Sequence, residues 1–130
     1  MKKTVFLLIS GMFFLVSTLS AQDIPTGIVV AFKKGNAQEL GKYMADKVDL
    51  IVLNKTSNLG KQQAESMIAA FFAENQVSGF TVNHQGKRDE SCFLIGTLTT
   101  GNGNFRVNCF LKRLENKYLI HQIRIDKTNE

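Results

Sequence analysis

His121 is the residue of this 130-residue chain best placed for acid–base chemistry. It falls on the side of a predicted strand that faces the apolar interior, where a desolvated imidazole can act as a general base near neutral pH. Asp49 would supply a carboxylate beside it, and Tyr43 a hydrogen-bond donor. The alternative, which we favour, is a core histidine bonded to the backbone. Residue types alone therefore name His121 as a catalytic candidate and leave catalysis undecided.

Other kinds of active-site chemistry lack the residue spacing that they need. His84 and His121 are far apart in the sequence, and neither stands in a ligand-spaced cluster with a cysteine. The sequence has no nucleophile elbow, phosphate-binding loop or catalytic-cysteine signature. Its formal net charge of +5 comes from scattered basic residues, whereas a nucleic-acid binder concentrates them on one face. We therefore predict no metal, no cofactor and no nucleic-acid partner.

The first 21 residues have the order of a secretory signal peptide. Lys2 and Lys3 give a positive start, residues 5–16 are almost wholly apolar, and small residues follow up to Ala21. The apolar run is too short to span a bilayer, which takes about 20 apolar residues. We predict cleavage after Ala21, export to the periplasm or the cell exterior, and no membrane span in the remaining domain of residues 22–130. Loss of the two lysines lowers the net charge to +3.

Three helices are predicted in the first half of the domain. Pro25 suits the first position of a helix that ends at Gly35 in the left-handed conformation. Asn36 and Glu39 have the spacing of a capping box, which begins a second, short helix. A third helix carries an apolar stripe and stops at Asn75. The stripe consists of Ala64, Met67, Ile68, Phe71 and Phe72.

Five strands complete the predicted elements, one before the third helix and four after it. The first covers residues 48–53, where β-branched residues predominate. The others form a meander over residues 80–84, 91–99, 105–113 and 118–126.

A hairpin turn is predicted at Asn102-Gly103, because both central residues of a type I′ turn need positive φ. This register places Cys92 and Cys109 on the same face but four residues apart along neighbouring strands. The separation is roughly 13 Å, which is beyond the reach of a disulfide. We therefore predict two buried free thiols.

In the turn between the last two predicted strands, the shortest loop does not match the sides of the sheet on which the apolar side chains of those strands lie. A two-residue turn at Glu115-Asn116 would put the apolar side chains of the last strand on the wrong side of the sheet. A three-residue loop over residues 114–116 restores the match, and asparagine tolerates the conformation that such a loop needs. In that register Leu119 and His121 face the interior.

The alternation gives the sheet two apolar faces. The helices should cover one of them and leave a concave pocket there. We predict that its lining includes His121, Tyr43, Asp49, Met67 and Phe71.

The opposite face combines an apolar patch with a charged rim, which is typical of a protein interface unless the C-terminal tail or the twist of the sheet shields it. The predicted members are Phe93, Ile95, Phe110, Tyr118, Ile120, Arg106 and Arg124. A second copy of the chain is the simplest partner for such a face, so we predict a homodimer. A small apolar ligand or an envelope protein is the other predicted partner.

The order of the elements resembles the nuclear-transport-factor-2-like superfamily, also called cystatin-like. The most specific local match is the stretch at residues 59–64, Leu-Gly-Lys-Gln-Gln-Ala, with the paired aromatics that end the third helix. The resemblance implies a cone-like α+β fold of three helices on a curved antiparallel sheet, in the order α-α-β-α-β-β-β-β. The superfamily's usual second strand would have to lie within residues 55–59, which is very short.

The segments at residues 32–36, 96–100, 105–112 and 119–125 also resemble a family of small exported proteins of Bacteroidota that has no assigned function. The superfamily includes isomerases, dehydratases, small-ligand binders and dimerisation modules, so its fold does not select a function. We expect non-enzymatic binding of a small ligand or a protein partner, through the concave pocket or the exposed face. The alternatives are a small isomerase or hydrolyase with His121 as general base, and a structural dimerisation module of an envelope assembly.

Overall fold

The structure, a computed structural model, describes residues 24–128, so the predicted signal peptide and its cleavage site lie outside it. The helices are α1 (Thr26–Lys34), α2 (Ala37–Gly41) and α3 (Lys61–Asn75). The strands are β1 (Met44–Val52), β2 (Lys55–Gly60), β3 (Val77–Arg88), β4 (Ser91–Thr100), β5 (Gly103–Leu114) and β6 (Lys117–Lys127). Within residues 24–128, no helix has the length and apolar character needed to cross a membrane.

The strands form one sheet in the order β2-β1-β6-β5-β4-β3, and the predicted α+β architecture with three helices is confirmed. The sheet is mixed, however, because β1 runs parallel to β6 while the other neighbours are antiparallel. No tight turn joins β1 to β6, so nothing forces an antiparallel pair. Residues 55–60 also form a strand of their own, which pairs with β1 across a turn at Leu53-Asn54.

The helix ends follow the local signals that the sequence carries. α1 begins one residue after Pro25 and ends at Gly35, which adopts a left-handed conformation with φ of 62°. The side-chain oxygen of Asn36 accepts a hydrogen bond of 3.1 Å from the Glu39 backbone N–H, which caps α2. α3 ends at Asn75 as predicted. These caps satisfy backbone groups that a helix end leaves without partners.

Aromatic rings fill the space between the helices and the side of the sheet that they cover, which we call the inner side. Phe32 of α1 stacks on Phe80 of β3 with ring centroids 4.9 Å apart and meets the Phe72 ring edge-on at 6.4 Å. Phe71 meets Phe105 of β5 edge-to-face at 5.1 Å. Such pairs add about 0.5–1.5 kcal/mol each to the stabilisation from burial. The sheet contributes Leu94, Leu98, Val107, Leu111, Ile123 and Ile125 to the same core.

The β4–β5 turn lies at Gly101-Asn102, one position earlier than predicted, and the positive φ falls on Gly103 at 108°. Thr100 Oγ1 accepts a hydrogen bond of 3.0 Å from the Asn102 backbone N–H. The Asn102 side-chain amide donates to Asn75 Oδ1 at the end of α3, at 2.9 Å. These bonds hold Asn102 against α3 and fix the turn there. The pairing shifts by two residues, so the side chains of β4 and β5 keep their predicted faces.

The corrected register brings the two cysteines closer together than predicted. Cys92 lies opposite Leu111 and Cys109 opposite Leu94, so the cysteines are two residues apart along neighbouring strands. The predicted spacing of four residues is therefore wrong. Both cysteines are buried, and neither forms part of a disulfide. Burial raises the pKa of the Cys109 thiol, and the neighbouring Cys92 raises it further.

The raised pKa of Cys109 predicts a loss of stability at alkaline pH. In the unfolded chain a cysteine ionises near pH 8.5, whereas the folded protein keeps the Cys109 thiol protonated. The contribution of Cys109 to the free energy of unfolding should be constant below about pH 8 and fall as the pH rises further, by about 1–2 kcal/mol at pH 10. The variant Cys109→Ala should be less stable at pH 7 but lose less between pH 7 and pH 10. Urea unfolding of both proteins under reducing conditions measures this difference, and equal losses would contradict it.

Candidate functional site

Strand β6 carries one extra residue at His121. On the β5 side, Ile120 pairs with Leu111 and Gln122 pairs with Phe110, which is the next residue of β5. On the β1 side the pairing passes from Met44 with Ile120 to Asp49 with Gln122, so His121 is skipped there too and β1 is itself irregular. His121 therefore has no ladder partner on either side and forms a β-bulge. Bulges are frequent beside functional sites, and this one lies in an interior strand of the sheet.

The bulge resolves the conflict that the sequence poses at the last turn. Leu114 pairs with Lys117, so the turn consists of Glu115-Asn116 and the predicted three-residue loop is wrong. The phase of β6 changes at His121 instead. The isoleucines after the bulge face the core as predicted, while the residues before it exchange sides.

Three residues before the bulge lie differently from the prediction. Ile120, predicted at the outer interface, is fully buried in the core. Tyr118, predicted at the same interface, is half-buried and packs against the core. Leu119, predicted inside, lies opposite the exposed Lys112. The interface assignments of Ile120 and Tyr118 are therefore wrong, because alternation cannot be counted through a bulge.

His121 itself is half-buried and bonds to the backbone. Its Nδ1 lies 3.2 Å from the carbonyl oxygen of Leu119. Because a carbonyl oxygen only accepts hydrogen bonds, Nδ1 is the donor in this contact. This bond is the one expected of a structural histidine. Among residues 24–128, no three histidine, cysteine, aspartate or glutamate side chains lie close enough together to hold a metal ion.

Within residues 24–128, the residues predicted to line a concave pocket do not come together around His121. Asp49 accepts a hydrogen bond of 2.7 Å from the side-chain amide of Asn58, on the side of β1 that faces away from the helices. Met67 is 42% exposed on the solvent side of α3, and Phe71 is buried in the aromatic core. The core rings occupy the space in which the sequence places a pocket, so these residues do not surround His121.

A cleft of about 310 Å³ lies at one corner of the fold, where the start of α1, the α2–β1 junction and the β5–β6 turn meet. We call it the corner cleft. The Ile120 N–H donates to the Tyr43 carbonyl oxygen at 2.7 Å and holds the start of β1 against β6. The Tyr118 hydroxyl oxygen is buried and has no hydrogen-bond partner among the described residues. The cleft is lined by Pro25, Lys42, Tyr43, Asn116, Lys117, Tyr118 and Leu119.

Of the residues that line the corner cleft, the sequence predicts Tyr43 alone as a pocket residue. The side that Tyr118 faces depends on the bulge, which no local signal announces. The signal that could have found it is the conflict between a two-residue turn and the sides that β6 presents, since a phase change within the strand resolves that conflict as well as a longer loop does.

Five of the seven predicted interface residues share the uncovered side of the sheet. Phe93 lies directly opposite Phe110, and the next pair along the strands is Ile95 with Asn108. All four are half-buried. We call this surface the outer face and define it by Phe93, Ile95, Phe110, Asn108, Arg106 and Arg124.

The outer face has charges of both signs at its rim. Arg124 Nε donates to Asp126 Oδ2 at 2.9 Å, and Arg106 lies opposite Asp126 on the neighbouring strand. Asn108 lies opposite Arg124, and its side-chain oxygen is buried without a hydrogen-bond partner among residues 24–128. The arrangement is an apolar centre with polar and charged surroundings, which is the composition of a protein interface.

A family model described as a domain of unknown function, DUF4783, matches residues 25–126 of the chain. No curated protein is significantly similar to it.

Solved structures extend this match. A DUF4783 family protein from Bacteroides ovatus is 63% identical over 84% of this chain and 99% of that chain, with a TM-score of 0.82. One from Bacteroides fragilis is 64% identical over 82% of this chain and 100% of that chain, with a TM-score of 0.79. An uncharacterised protein with a cystatin-like fold from Silicibacter pomeroyi is 13% identical over 78% of this chain and 70% of that chain, with a TM-score of 0.59. The predicted resemblances to the superfamily and to a Bacteroidota family without an assigned function are confirmed.

The bulge at His121 predicts an unusual tolerance to deletion. Without His121 the β5–β6 pairs before and after it form one continuous register, and Ile120 and Ile123 stay in the core. The deletion variant should fold and lose no more than about 2 kcal/mol. Deletion of the exposed Arg124 is the matched control, because it turns Ile123 outward and should cost more than about 4 kcal/mol. Urea unfolding measures both, and equal damage from the two deletions would contradict the bulge.

Proposed function

The chain belongs to the DUF4783 family, whose function is unknown, and from the geometry of its outer face we propose that it is an exported, non-enzymatic interaction domain that forms a homodimer. The observation that carries the proposal is the cluster of Phe93, Phe110 and Ile95 on a sheet face that none of the helices within residues 24–128 covers. The solvated face of an antiparallel sheet is normally polar. A contiguous apolar group there gains free energy when a partner removes it from water.

The charges of the outer face favour a second copy of the chain over a partner whose surface carries charges of a single sign. Arg106 and Arg124 lie beside Asp126, so the rim carries both signs within one patch. Two-fold symmetry brings a patch against itself. An arginine of one copy then meets the aspartate of the other, while the phenylalanines and Ile95 form the centre. Buried aromatic residues and arginines are also the residue types that dominate interface energetics.

The arrangement around His121 supports a role without catalysis. A general base needs a partner that orients it and a cavity that admits a substrate. His121 is bonded to the Leu119 carbonyl, and Asp49 is engaged with Asn58 on the outer side. No observation in the described residues favours an isomerase or hydrolyase centred on His121. A dimerisation module of an envelope assembly would form the same homodimer. It differs from the proposed function in that the dimer would also bind another protein of the envelope.

The homodimer predicts a specific sensitivity to charge on the outer face. Purified residues 22–130 should sediment at twice the chain mass, and Ile95→Arg should give a monomer at the same concentration. Val30→Arg is the matched control, because Val30 is an apolar residue of α1 that is 40% exposed away from the outer face. Analytical ultracentrifugation measures all three proteins. A wild-type chain that stays monomeric up to about 1 mM would overturn the proposal.

Export rests on the order of charge, apolar run and small residues in the first 21 positions. Protein recovered from the cell envelope should begin at Gln22, as read by intact mass and N-terminal peptide analysis. Leu8→Arg interrupts the apolar run and should leave the full-length chain in the cytoplasm, whereas Thr4→Lys adds charge before the run and should leave export intact. Full-length wild-type protein in the cytoplasm would contradict export.

A further inference from the structure

We infer that the corner cleft is a binding site for a small organic carboxylate with a flat apolar body. It is a second site, separate from the outer face. The cleft is built by the start of α1, the α2–β1 junction and the β5–β6 turn, whereas the outer face lies on the middle of β4, β5 and β6. Binding in the cleft and dimerisation through the sheet can therefore fail independently.

The size and walls of the corner cleft set the shape of its ligand. Its volume of about 310 Å³ is at the lower end of the range for ligand sites. Pro25, Leu119 and the half-buried rings of Tyr43 and Tyr118 supply apolar wall. Flat apolar surfaces of this kind suit a single ring or a short hydrocarbon chain.

The charges of the corner cleft set the sign of its ligand. Lys42 and Lys117 belong to the lining, and none of its residues is acidic. Lys42 Nζ lies 2.9 Å from Glu39 Oε2, and this hydrogen bond and charge raise the pKa of Lys42, so it stays cationic. Glu39 lies outside the lining and neutralises one of the two lysines. One net positive charge remains, which suits a monoanion better than a dianion.

The Tyr118 hydroxyl gives an independent reason to expect a ligand. Its oxygen is buried and makes no hydrogen bond within residues 24–128. A buried hydroxyl without a partner is a cost to the free protein, and such groups are rare in native structures. A ligand carboxylate that reaches this hydroxyl would supply the missing acceptor. The same hydroxyl then destabilises the free protein and stabilises the complex.

Benzoate is the probe for this site, and benzyl alcohol is the neutral control of the same shape. In a titration followed by ¹H–¹⁵N NMR, benzoate should shift the amide signals of Lys42, Tyr43 and residues 116–119. Benzyl alcohol should bind at least about tenfold more weakly, because it lacks the charge. Lys117→Gln should weaken benzoate binding, whereas Lys112→Gln, which removes an exposed lysine outside the cleft, should leave it unchanged.

Tyr118→Phe separates a binding role from a structural one. It removes the hydroxyl without a partner, so the free protein should melt at a higher temperature, and its affinity for benzoate should fall at least about fivefold. A higher melting temperature with unchanged affinity would show that the hydroxyl takes no part in binding. The absence of localised shifts in about 20 mM benzoate, or equal binding of benzyl alcohol, would overturn the site. The ultracentrifugation result for the outer face does not depend on any of these outcomes.

Discussion

Strand β6 must bury three isoleucines while it is paired on both edges, and the rest of the fold is arranged around that constraint. β1 lies on one side of it and β5 on the other. Ile120, Ile123 and Ile125 are all fully buried, although strict alternation from Ile125 and Ile123 would bring residue 121 inward and turn Ile120 outward. One extra residue at His121 reconciles this spacing with the ladders. The bulge leaves His121 without ladder partners. This loss is offset because the side chain of Ile120, and not the polar imidazole of His121, is buried in the core.

The bulge also shapes the corner of the molecule. Because Ile120 faces inward, Tyr118 does so too, and its hydroxyl becomes buried where the described residues offer it no partner. The Ile120 N–H bonds to the carbonyl of Tyr43, beside the pair that Ile120 forms with Met44 at the start of β1. The bulge thus decides that Tyr118 lies beside Tyr43 in the lining of the corner cleft.

The filled interior is the reason that both proposed sites lie on the surface. In a fold that can hold a pocket between helices and sheet, this chain places Phe32, Phe80, Phe72, Phe71 and Phe105 there. Interiors packed in this way leave no room for a ligand beside a catalytic group. Strand β6 serves both remaining surfaces, with Tyr118 and Leu119 at the corner cleft and Arg124 on the outer face. A single strand therefore connects the two sites, and its bulge lies between them.

The sequence by itself determined the features that depend on near neighbours. The left-handed end of α1 at Gly35, the Asn36 cap and the end of α3 at Asn75 follow from contacts within four residues. The period-two pattern likewise determined that Phe93, Ile95 and Phe110 share an outer face. Tertiary structure alone decided the parallel pairing of β1 with β6, the displaced turn at Gly101-Asn102 and the bulge at His121. Each of these is a choice of strand orientation or register. Such a choice is made by hydrogen bonds and packing between residues far apart in the sequence.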